Sequence, residues 1–464
     1  MAKTTKRGIV SAGLMAAMFI GALDVTVVST ALPHITKELG GLSLISWVFS
    51  IYTLTTCVAT PVFGKLTDLF GRRIVFAIGL ALFVLGSVLC GAATSMVALI
   101  VFRAVQGIGA GALNPVVFTI VGDMYPGEQR ARMQGVFASV WSIAGLLGPL
   151  VGGYFVDYVT WRWIFYMNIP IGIVSFLLVF LFLHERFEKK RKRIDYAGAA
   201  AFSVAITALL FALVNGGEKY AWGSATIVGL FAATAVFLIA FYWIEKRAQE
   251  PMIPLSLFRL RIMNVSNIGG FLSFAVTAGM TIYPPIWIQS LLGHSATSSG
   301  LTTMPMTLAW PLAANIAGRW MYRMGTKATV VIGSCVVVAG CAWLMAVELS
   351  SPYWYLVGIL IVVGFGMGFI TTPATVLIQS AVGWQMRGVA TSTNSLMRSL
   401  GQTVGIAVFG TVFNHYAVTG ENAGLAAGMH AIFVIMFAVA IVNLFVMAWL
   451  PSHRQVMEQQ KAAS

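Results

Sequence analysis

Charged residues are scarce in this chain. Of its 464 residues only 9% are charged and 15 are acidic, whereas 58% are hydrophobic. Soluble globular domains carry about 25% charged residues, so the composition excludes an ordinary soluble protein and indicates a chain with many membrane spans. Cysteine is scarce as well. The four cysteines all lie within apolar segments, which supports neither a disulfide framework nor a metal site; they are Cys57, Cys90, Cys335 and Cys341.

The chain also lacks any stretch outside the apolar segments that is large enough to hold a nucleotide-binding domain. No glycine-rich phosphate loop stands in a soluble context either. These absences argue against an enzyme and against a bound cofactor. They leave an ion gradient as the energy source for any transport.

Long apolar segments dominate what remains. A transmembrane helix needs about 20 predominantly apolar residues. Fourteen segments meet this requirement, so the sequence predicts an all-α polytopic membrane protein. They lie near residues 9–31, 44–63, 74–93, 97–122, 135–156, 163–183, 197–215, 223–244, 265–290, 300–318, 328–347, 353–378, 392–416 and 426–450.

The basic residues indicate topology. The formal net charge is +14, but most of the Lys and Arg fall in alternate loops and in the two tails. This asymmetry follows the positive-inside rule and predicts that both termini are cytoplasmic, so we expect no nucleic-acid partner. Lys3, Lys6 and Arg7 precede an apolar stretch that is too long for the core of a signal peptide, and we therefore expect no cleavable leader.

Two internal echoes indicate a duplicated chain. The charged stretch GKLTDLFGRR, Gly64–Arg73, has a degenerate copy, GRWMYRMGTK, at Gly318–Lys327, which is 254 positions later. The segment that begins GVFASVWS at Gly135 aligns with GVATSTNS at Gly388, an offset of 253. Two echoes at nearly one offset predict that spans one to six repeat as spans nine to fourteen.

The architecture predicted from this repeat is six plus two plus six spans. A six-helix bundle is expected at 1–185 and a second one, with a short cytoplasmic tail, at 263–464. Between them, 186–262 is expected to hold a cytoplasmic linker and two extra helices outside the paired halves. The basic run His184–Arg193 is interpreted as the start of that linker, held at anionic head groups.

Asp24 and Arg103 are the acid and the base placed deep within the N-terminal half. Asp24 lies about 10 Å below the outer end of span one, and Arg103 lies at nearly the same depth in span four. A charge at such depth costs about 2.5 kcal/mol or more unless it has a partner, a cavity or a proton. We expect the two residues to lie close together. They form either a structural ion pair or a site where a carboxylate exchanges a proton during transport.

Other small and polar residues share the Arg103 face of span four. Gln106, Gly107, Ala110 and Asn114 follow it at helical spacing, so this face should point into the bundle. Gln106 and Asn114 either touch a substrate or bridge helices.

Span five carries Gly145, Gly148, Pro149 and Gly152. Its glycines share one helix face, which suits a hinge, a sealing surface between the halves or plain helix packing.

The C-terminal half is chemically quieter. In the sequence alignment of the two halves, Ala278 stands at the position of Asp24 and Val357 at that of Arg103. Met and aromatic residues there are either core or the lining of a substrate cavity. The candidates for that cavity in the whole chain are Asp24, Tyr52, Gln106, Asn114, Tyr283, Trp287, Gln289, Met304, Met306 and Trp310. Arg398, in span thirteen, either snorkels to the cytoplasmic end or takes part in coupling.

Together these stretches resemble the major facilitator superfamily in its 14-span drug–proton antiporter branch. GKLTDLFGRR resembles the signature loop between spans two and three, and LIVFRAVQGIGAG resembles the signature of span four. GLLGPLVGG resembles the antiporter signature of span five, while LDVTVVSTALP and WRWIFYMNIP resemble the 14-span branch. The resemblance covers almost the whole chain and implies the major facilitator fold.

The resemblance also implies roles for individual residues. Asp24 would bind the coupling proton, with Arg103 as its relay partner. The antiporter hinge would consist of Gly145, Gly148, Pro149, Gly152 and Gly153. An interdomain latch would consist of Gly64, Asp68, Gly71, Arg72, Arg73 and Asp123. Some members of the branch carry an acidic residue in span ten that is linked to dicationic drugs, but residues 300–318 hold no Asp or Glu.

The predicted function is therefore proton-coupled export of lipophilic small molecules by alternating access. Monocationic, zwitterionic or neutral compounds are favoured over dications. The alternatives are an exporter of an endogenous metabolite, lipid or peptide, and a non-transporting membrane receptor. The sequence does not exclude sodium as the coupling ion, although a lone carboxylate beside an arginine suits a proton better than a sodium site built from several oxygens. The expected partners are substrates, protons and lipid, and the expected protein is a monomer in a bacterial cytoplasmic membrane.

Overall fold

The secondary structure of the described part of the chain is helical. The computed structural model describes residues 5–40, 44–185, 195–217, 219–293, 296–417 and 422–451. Its α-helices are α1 Arg7–Leu39, α2 Ile45–Phe70, α3 Arg72–Gly91, α4 Met96–Met124, α5 Gly127–Tyr158, α6 Trp163–Tyr166, α7 Asn168–Phe182, α8 Tyr196–Asn215, α9 Ala225–Arg247, α10 Arg261–Ile286, α11 Ala296–Arg323, α12 Thr326–Met345, α13 Trp354–Ala381, α14 Arg387–Ala417 and α15 Asn422–Ala448. Within these ranges the only β pairing is a single bridge between Gly216 and Tyr220.

Thirteen helical segments of the described residues are long and apolar enough to cross a membrane, and α6 and α7 together make one of them. The tenth predicted segment lies in α11, which is long enough but is not among the thirteen. Part of α11 faces α5. Asn315 packs against Gly135, and Ser142 donates a hydrogen bond to the Thr307 carbonyl. The count of fourteen spans and the cytoplasmic placement of the termini stay predictions.

The two halves repeat one packing pattern. In the first half α4 packs against α2 and α3, and α1 against α5 and α7. In the second half α13 packs against α11 and α12, and α10 against α14 and α15. The close contact between α3 and α4 joins Gly79 to the Gly109 carbonyl, and its counterpart joins Gly333 to the Gly366 carbonyl. The internal duplication is thus visible in the packing itself.

These glycines also correct the alignment of the halves. The offset is 254 from Gly79 to Gly333 but 257 from Gly109 to Gly366, because the connection after α12, 346–353, is longer than the connection after α3, 92–95. The residue equivalent to Arg103 is therefore Leu360, and the assignment to Val357 was wrong.

The charged loop and its degenerate copy make the same turn. Gly71, between α2 and α3, has φ 91°, and Gly325, between α11 and α12, has φ 88°. Side chains disfavour this left-handed region, so a glycine is needed at both turns.

Two helix pairs make the largest contacts between the halves, and each half has its own apolar core. Helix α2 packs against α14, and α5 packs against α11. The extra pair, α8 and α9, lies alongside, with α8 against α2 and α14. Trp222, between α8 and α9, donates to the Thr411 hydroxyl of α14 at 3.0 Å. The division at 185 and 262 stays a prediction, and linker residues 186–194 and tail residues 452–464 lie outside the described part.

Candidate functional site

A buried polar triad joins α1 to α4. Asp24 lies in α1, and Arg103 and Gln106 lie one turn apart on the same face of α4. Arg103 Nη1 donates to Asp24 Oδ2 at 2.5 Å, and Gln106 Nε2 donates to Asp24 Oδ1 at 2.8 Å. Arg103 Nη1 also lies 2.8 Å from Gln106 Oε1. Each member of the triad therefore contacts the other two.

The surroundings of the triad hold the guanidinium in place. Arg103 Cζ lies 4.1 Å from the ring centroid of Tyr52, and Arg103 Nε donates to the Val48 carbonyl at 3.3 Å. The side chains of Asp24 and Arg103 have no exposed surface. A buried ion pair contributes little net stability because desolvation offsets its attraction, but the loss of one partner is costly. Protonation of Asp24 would therefore leave the buried charge of Arg103 without its counter-ion, which is energetically costly.

The other residues predicted to line the substrate cavity differ in how exposed they are. On α4, Asn114 is half-buried, and on α11 Met304 and Trp310 are also half-buried. Gln289 is exposed in a short π-helical turn, Trp287–Leu291.

Tyr283, Trp287 and Met306 do not line an opening. Tyr283 packs on Phe409, and Trp287, with no exposed surface, packs on Phe433. They belong, with Met306, to the core of the C-terminal half. In this conformation all three residues belong to the core, which was one of the two interpretations of the Met and aromatic residues in this half.

The glycines of α5 differ in what lies next to them. A Cβ at Gly148 would overlap Thr26, and one at Gly152 would lie 3.1 Å from Thr30 Cβ. Both neighbours belong to α1. Gly148 and Gly152 therefore let α5 pack closely on a helix of its own half, and the expected sealing surface between the halves was wrong for these two glycines. A Cβ at Gly145 or Gly153 would meet no atom within 4 Å, and Pro149 is exposed. A hinge at these positions stays a prediction.

The predicted latch residues meet at the end of the bundle that carries the α2–α3 turn, which we call the latch end. Asp68 accepts hydrogen bonds from the backbone N–H groups of Gly388 and Val389, at 3.1 and 2.9 Å. These donors lie at the start of α14, where the helix dipole favours a negative charge. Arg72 Nη2 lies 3.0 Å from Asp68 Oδ1. Asp68 therefore ties the first half to the second.

Asp123, at the end of α4, links the same charges by a second route. It accepts from Arg72 Nε at 3.0 Å and from Arg387 Nη1 at 2.8 Å. Arg387 belongs to the second half and was not foreseen from the sequence, although it directly precedes the echo that starts at Gly388. Arg72 also donates to the Trp384 carbonyl at 2.6 Å and stacks on the Trp384 ring.

Glu185 completes the latch on the side of the first half. Its carboxylate accepts the backbone N–H of Arg72 at 2.8 Å and that of Arg73 at 3.3 Å, so it caps the start of α3. The Arg73 guanidinium lies over the Phe180 ring. Arg73 thus anchors α3 to α7 and does not bridge the halves.

Close packing supports these charges at the latch end. A Cβ on Gly64 would overlap the Ser392 side chain of α14. Gln134 of α5 donates to Gln379 Oε1 of α13 at 2.8 Å, and Gln379 donates to the Phe118 carbonyl of α4 at 3.0 Å. The halves are therefore joined and closed at this end.

Within the described ranges, no three His, Cys, Asp or Glu side chains group closely enough to hold a metal ion.

Comparison with known proteins assigns the fold. The family model of the Major Facilitator Superfamily matches residues 14–406. The chain is 37% identical to the multidrug transporter protein MdtP of Bacillus subtilis, over 89% of this chain and 76% of that protein. It is 36% identical to multidrug resistance protein 3 of the same organism, over 89% of this chain and 80% of that one.

Solved structures show the same fold at much lower identity. The human organic anion transporter MFSD10 superposes with a TM-score of 0.71 at 16% identity, over 95% of this chain and 99% of that one. The proton:xylose symporter XylE superposes with a TM-score of 0.66 at 15% identity, over 96% of each chain.

Proposed function

Because the chain belongs to the major facilitator superfamily, we propose that it exports lipophilic small molecules in exchange for protons, by alternating access. The relatives named as multidrug transporters support drug export as the kind of transport. The multi-pass helical fold supports a membrane location, and we place the protein in the cytoplasmic membrane of a bacterium.

The observation that carries proton coupling is the sealed triad. Asp24 is a carboxylate with no exposed surface, and both of its oxygens are occupied by donors from α4. A proton on Asp24 would remove the negative charge from this contact and leave Arg103 held by Gln106, Tyr52 and the Val48 carbonyl. Since a carboxylate in a membrane must be paired, solvated or protonated, α1 and α4 would have to separate before the proton could enter or leave.

Opening and closing of the latch contacts would switch the protein between the two conformations of the cycle. We take the latch end as cytoplasmic, in agreement with the excess of Lys and Arg there. The structure then corresponds to a conformation closed to the cytoplasm. Proton entry from outside would weaken the Asp24–Arg103 pair and favour substrate release. Opening of the Asp68 and Asp123 contacts would then return the protein to the inward-facing state and release the proton inside.

The test is proton movement on addition of a lipophilic dye to proteoliposomes. Wild type is expected to respond, and Asp24→Asn is expected to lose the response because the amide cannot carry a proton. Glu38→Gln is the matched control. Glu38 lies on the same helix, but it is largely exposed and pairs with Arg162 and Trp161. Full proton movement in Asp24→Asn would refute coupling through this residue.

A further inference from the structure

One cation inside the C-terminal half has no counter-ion among the described residues. Arg398 lies on α14, and its Nη2 donates to Thr375 Oγ1 at 2.8 Å and to the Thr371 carbonyl at 3.4 Å. Its Nε is buried and has no hydrogen-bond partner. In the ranges that the structure covers, no carboxylate lies within ion-pair distance of it. The guanidinium is held between α10 and α13 inside the bundle, so snorkelling to the end of the bundle does not describe it.

A second unpaired donor lies beside it. Asn394, one turn before Arg398, donates to Asn267 Oδ1 at 3.1 Å, while Asn267 Nδ2 is buried without a partner. A Cβ on Gly270 would lie 3.3 Å from Asn394 Nδ2 and 3.8 Å from Arg398 Nε. Helices α10 and α14 therefore pack closely at Gly270, next to Asn394 and Arg398. Unpaired buried donors are costly, which favours an anionic group near Arg398.

Aromatic surface adjoins Arg398. Arg398 Cζ lies 5.5 Å from the ring centroid of Phe274, and Trp310 packs edge-on against the same ring at 5.9 Å. Trp310 is oriented by its hydrogen bond to Thr371 Oγ1, at 3.1 Å. Phe274, Trp310 and Arg398 all keep some exposed surface. A cation beside two accessible rings suits a ligand that joins a negative group to an aromatic system.

We propose that Arg398, together with the rings of Phe274 and Trp310, binds the carboxylate of an aromatic substrate. The inference rests on the proposed export function and narrows its substrate class to compounds that carry such a group, zwitterions included. A guanidinium with a free Nε–H matches the planar carboxylate better than it matches a spherical ion. The Asp24–Arg103 pair is neutral overall, whereas the charge of Arg398 has no carboxylate among the described residues to offset it.

Two dyes that differ in a single group test the assignment. Tetramethylrhodamine has a free carboxylate, and its methyl ester has the same rings and the same cation without it. Binding of each dye to the purified full chain is measured for wild type, Arg398→Gln and Arg398→Lys. Arg323→Gln, an exposed residue at the end of α11, is the control. We expect Arg398→Gln to weaken binding of the acid by about tenfold or more, as for loss of a charged hydrogen bond, and to leave the ester unchanged.

Each other outcome has a defined meaning. Equal weakening of both dyes, or loss of the acid in Arg323→Gln as well, would assign Arg398 a structural role and overturn the proposal. Tighter wild-type binding of the ester than of the acid would overturn it too. If chloride, compared with gluconate, stabilised the wild type through Arg398 while the acid did not compete, Arg398 would bind an inorganic anion and the carboxylate assignment would fail. If the dyes bound as expected but vesicles showed no proton-driven export, the export function would fail and the carboxylate subsite would stand.

Discussion

Replacement of Asp68 by asparagine should open the latch end. Asp68 is buried and accepts two backbone N–H groups from the start of α14. An asparagine there offers one acceptor oxygen, and its NH₂ group would face the second N–H. Its contact with Arg72 lies within the first half, so we treat it as common to both conformations. The contacts that differ between the closed and open states are therefore the two to α14.

The magnitude follows from those two contacts. Loss of one hydrogen bond to a charged group costs about 1.5–3 kcal/mol. Loss of the negative charge at a helix N-terminus adds about 0.3–1 kcal/mol. The sum, about 2–4 kcal/mol, should shift the ratio of closed to open molecules by roughly 30- to 1,000-fold, since each 1.4 kcal/mol is a factor of ten.

Distances between spin labels across the latch end would measure this shift. Arg132 on α5 and Met324 just after α11 are exposed and lie in opposite halves, so cysteines at these positions can carry the labels. Cys335 is exposed and must first become serine, whereas the other three cysteines are buried. We expect a longer distance to become populated in Asp68→Asn. An unchanged distribution, or the same change in the control Asp157→Asn at the exposed far end of α5, would refute the role of Asp68.

Three further substitutions test other contacts. Gly64→Ala should hold the latch end open because its Cβ overlaps Ser392, and the added change Ser392→Gly should partly restore closure in the same distance measurement. Gly148→Ala should lower the free energy of unfolding by about 1–3 kcal/mol because its Cβ overlaps Thr26. Gly145→Ala should leave it unchanged or raise it, because the added Cβ meets no atom within 4 Å. Trp222→Phe should lower stability by about 0.5–1.5 kcal/mol through loss of the hydrogen bond to α14, measured as a fall in Tm.

Much of the fold could be predicted because membrane spans depend on length and hydropathy, which a single sequence carries directly. The boundaries were less predictable. Helix α5 begins at Gly127, although the predicted apolar segment begins at 135. Residues 127–134 are polar and still helical, since Arg130 and Gln134 reach Ser380 and Gln379 of the other half. A polar helical turn that packs on protein gives no hydropathy signal.

The candidate site was predictable where charges stand inside apolar segments. Asp24 and Arg103 stand out because such charges are rare, and the structure brings them into contact. Arg387 and Glu185 could not be assigned to the latch in this way, because they lie in loops or helix ends where charges are ordinary. The donors around Gly270 were missed for another reason: asparagines in apolar segments are usual helix-bridging residues, and only the packing shows that one of them lacks an acceptor.

The proposed proton site and the proposed substrate subsite lie on two helices that meet at one ion pair. Helix α4 carries Arg103 in the triad and, about 30 Å further along the same helix, Asp123 in the latch. Helix α14 begins at Arg387 and carries Arg398 about 16 Å further on. The Asp123–Arg387 contact is the ion pair that joins the two halves in the described part of the chain. In the proposed cycle a proton at the triad would act on α4 and an anionic substrate group would act on α14, so closure of the latch would depend on both helices being in register. Since Ala278 and Leu360 occupy the places of Asp24 and Arg103 in the second half, the proposed protonation step has no counterpart there.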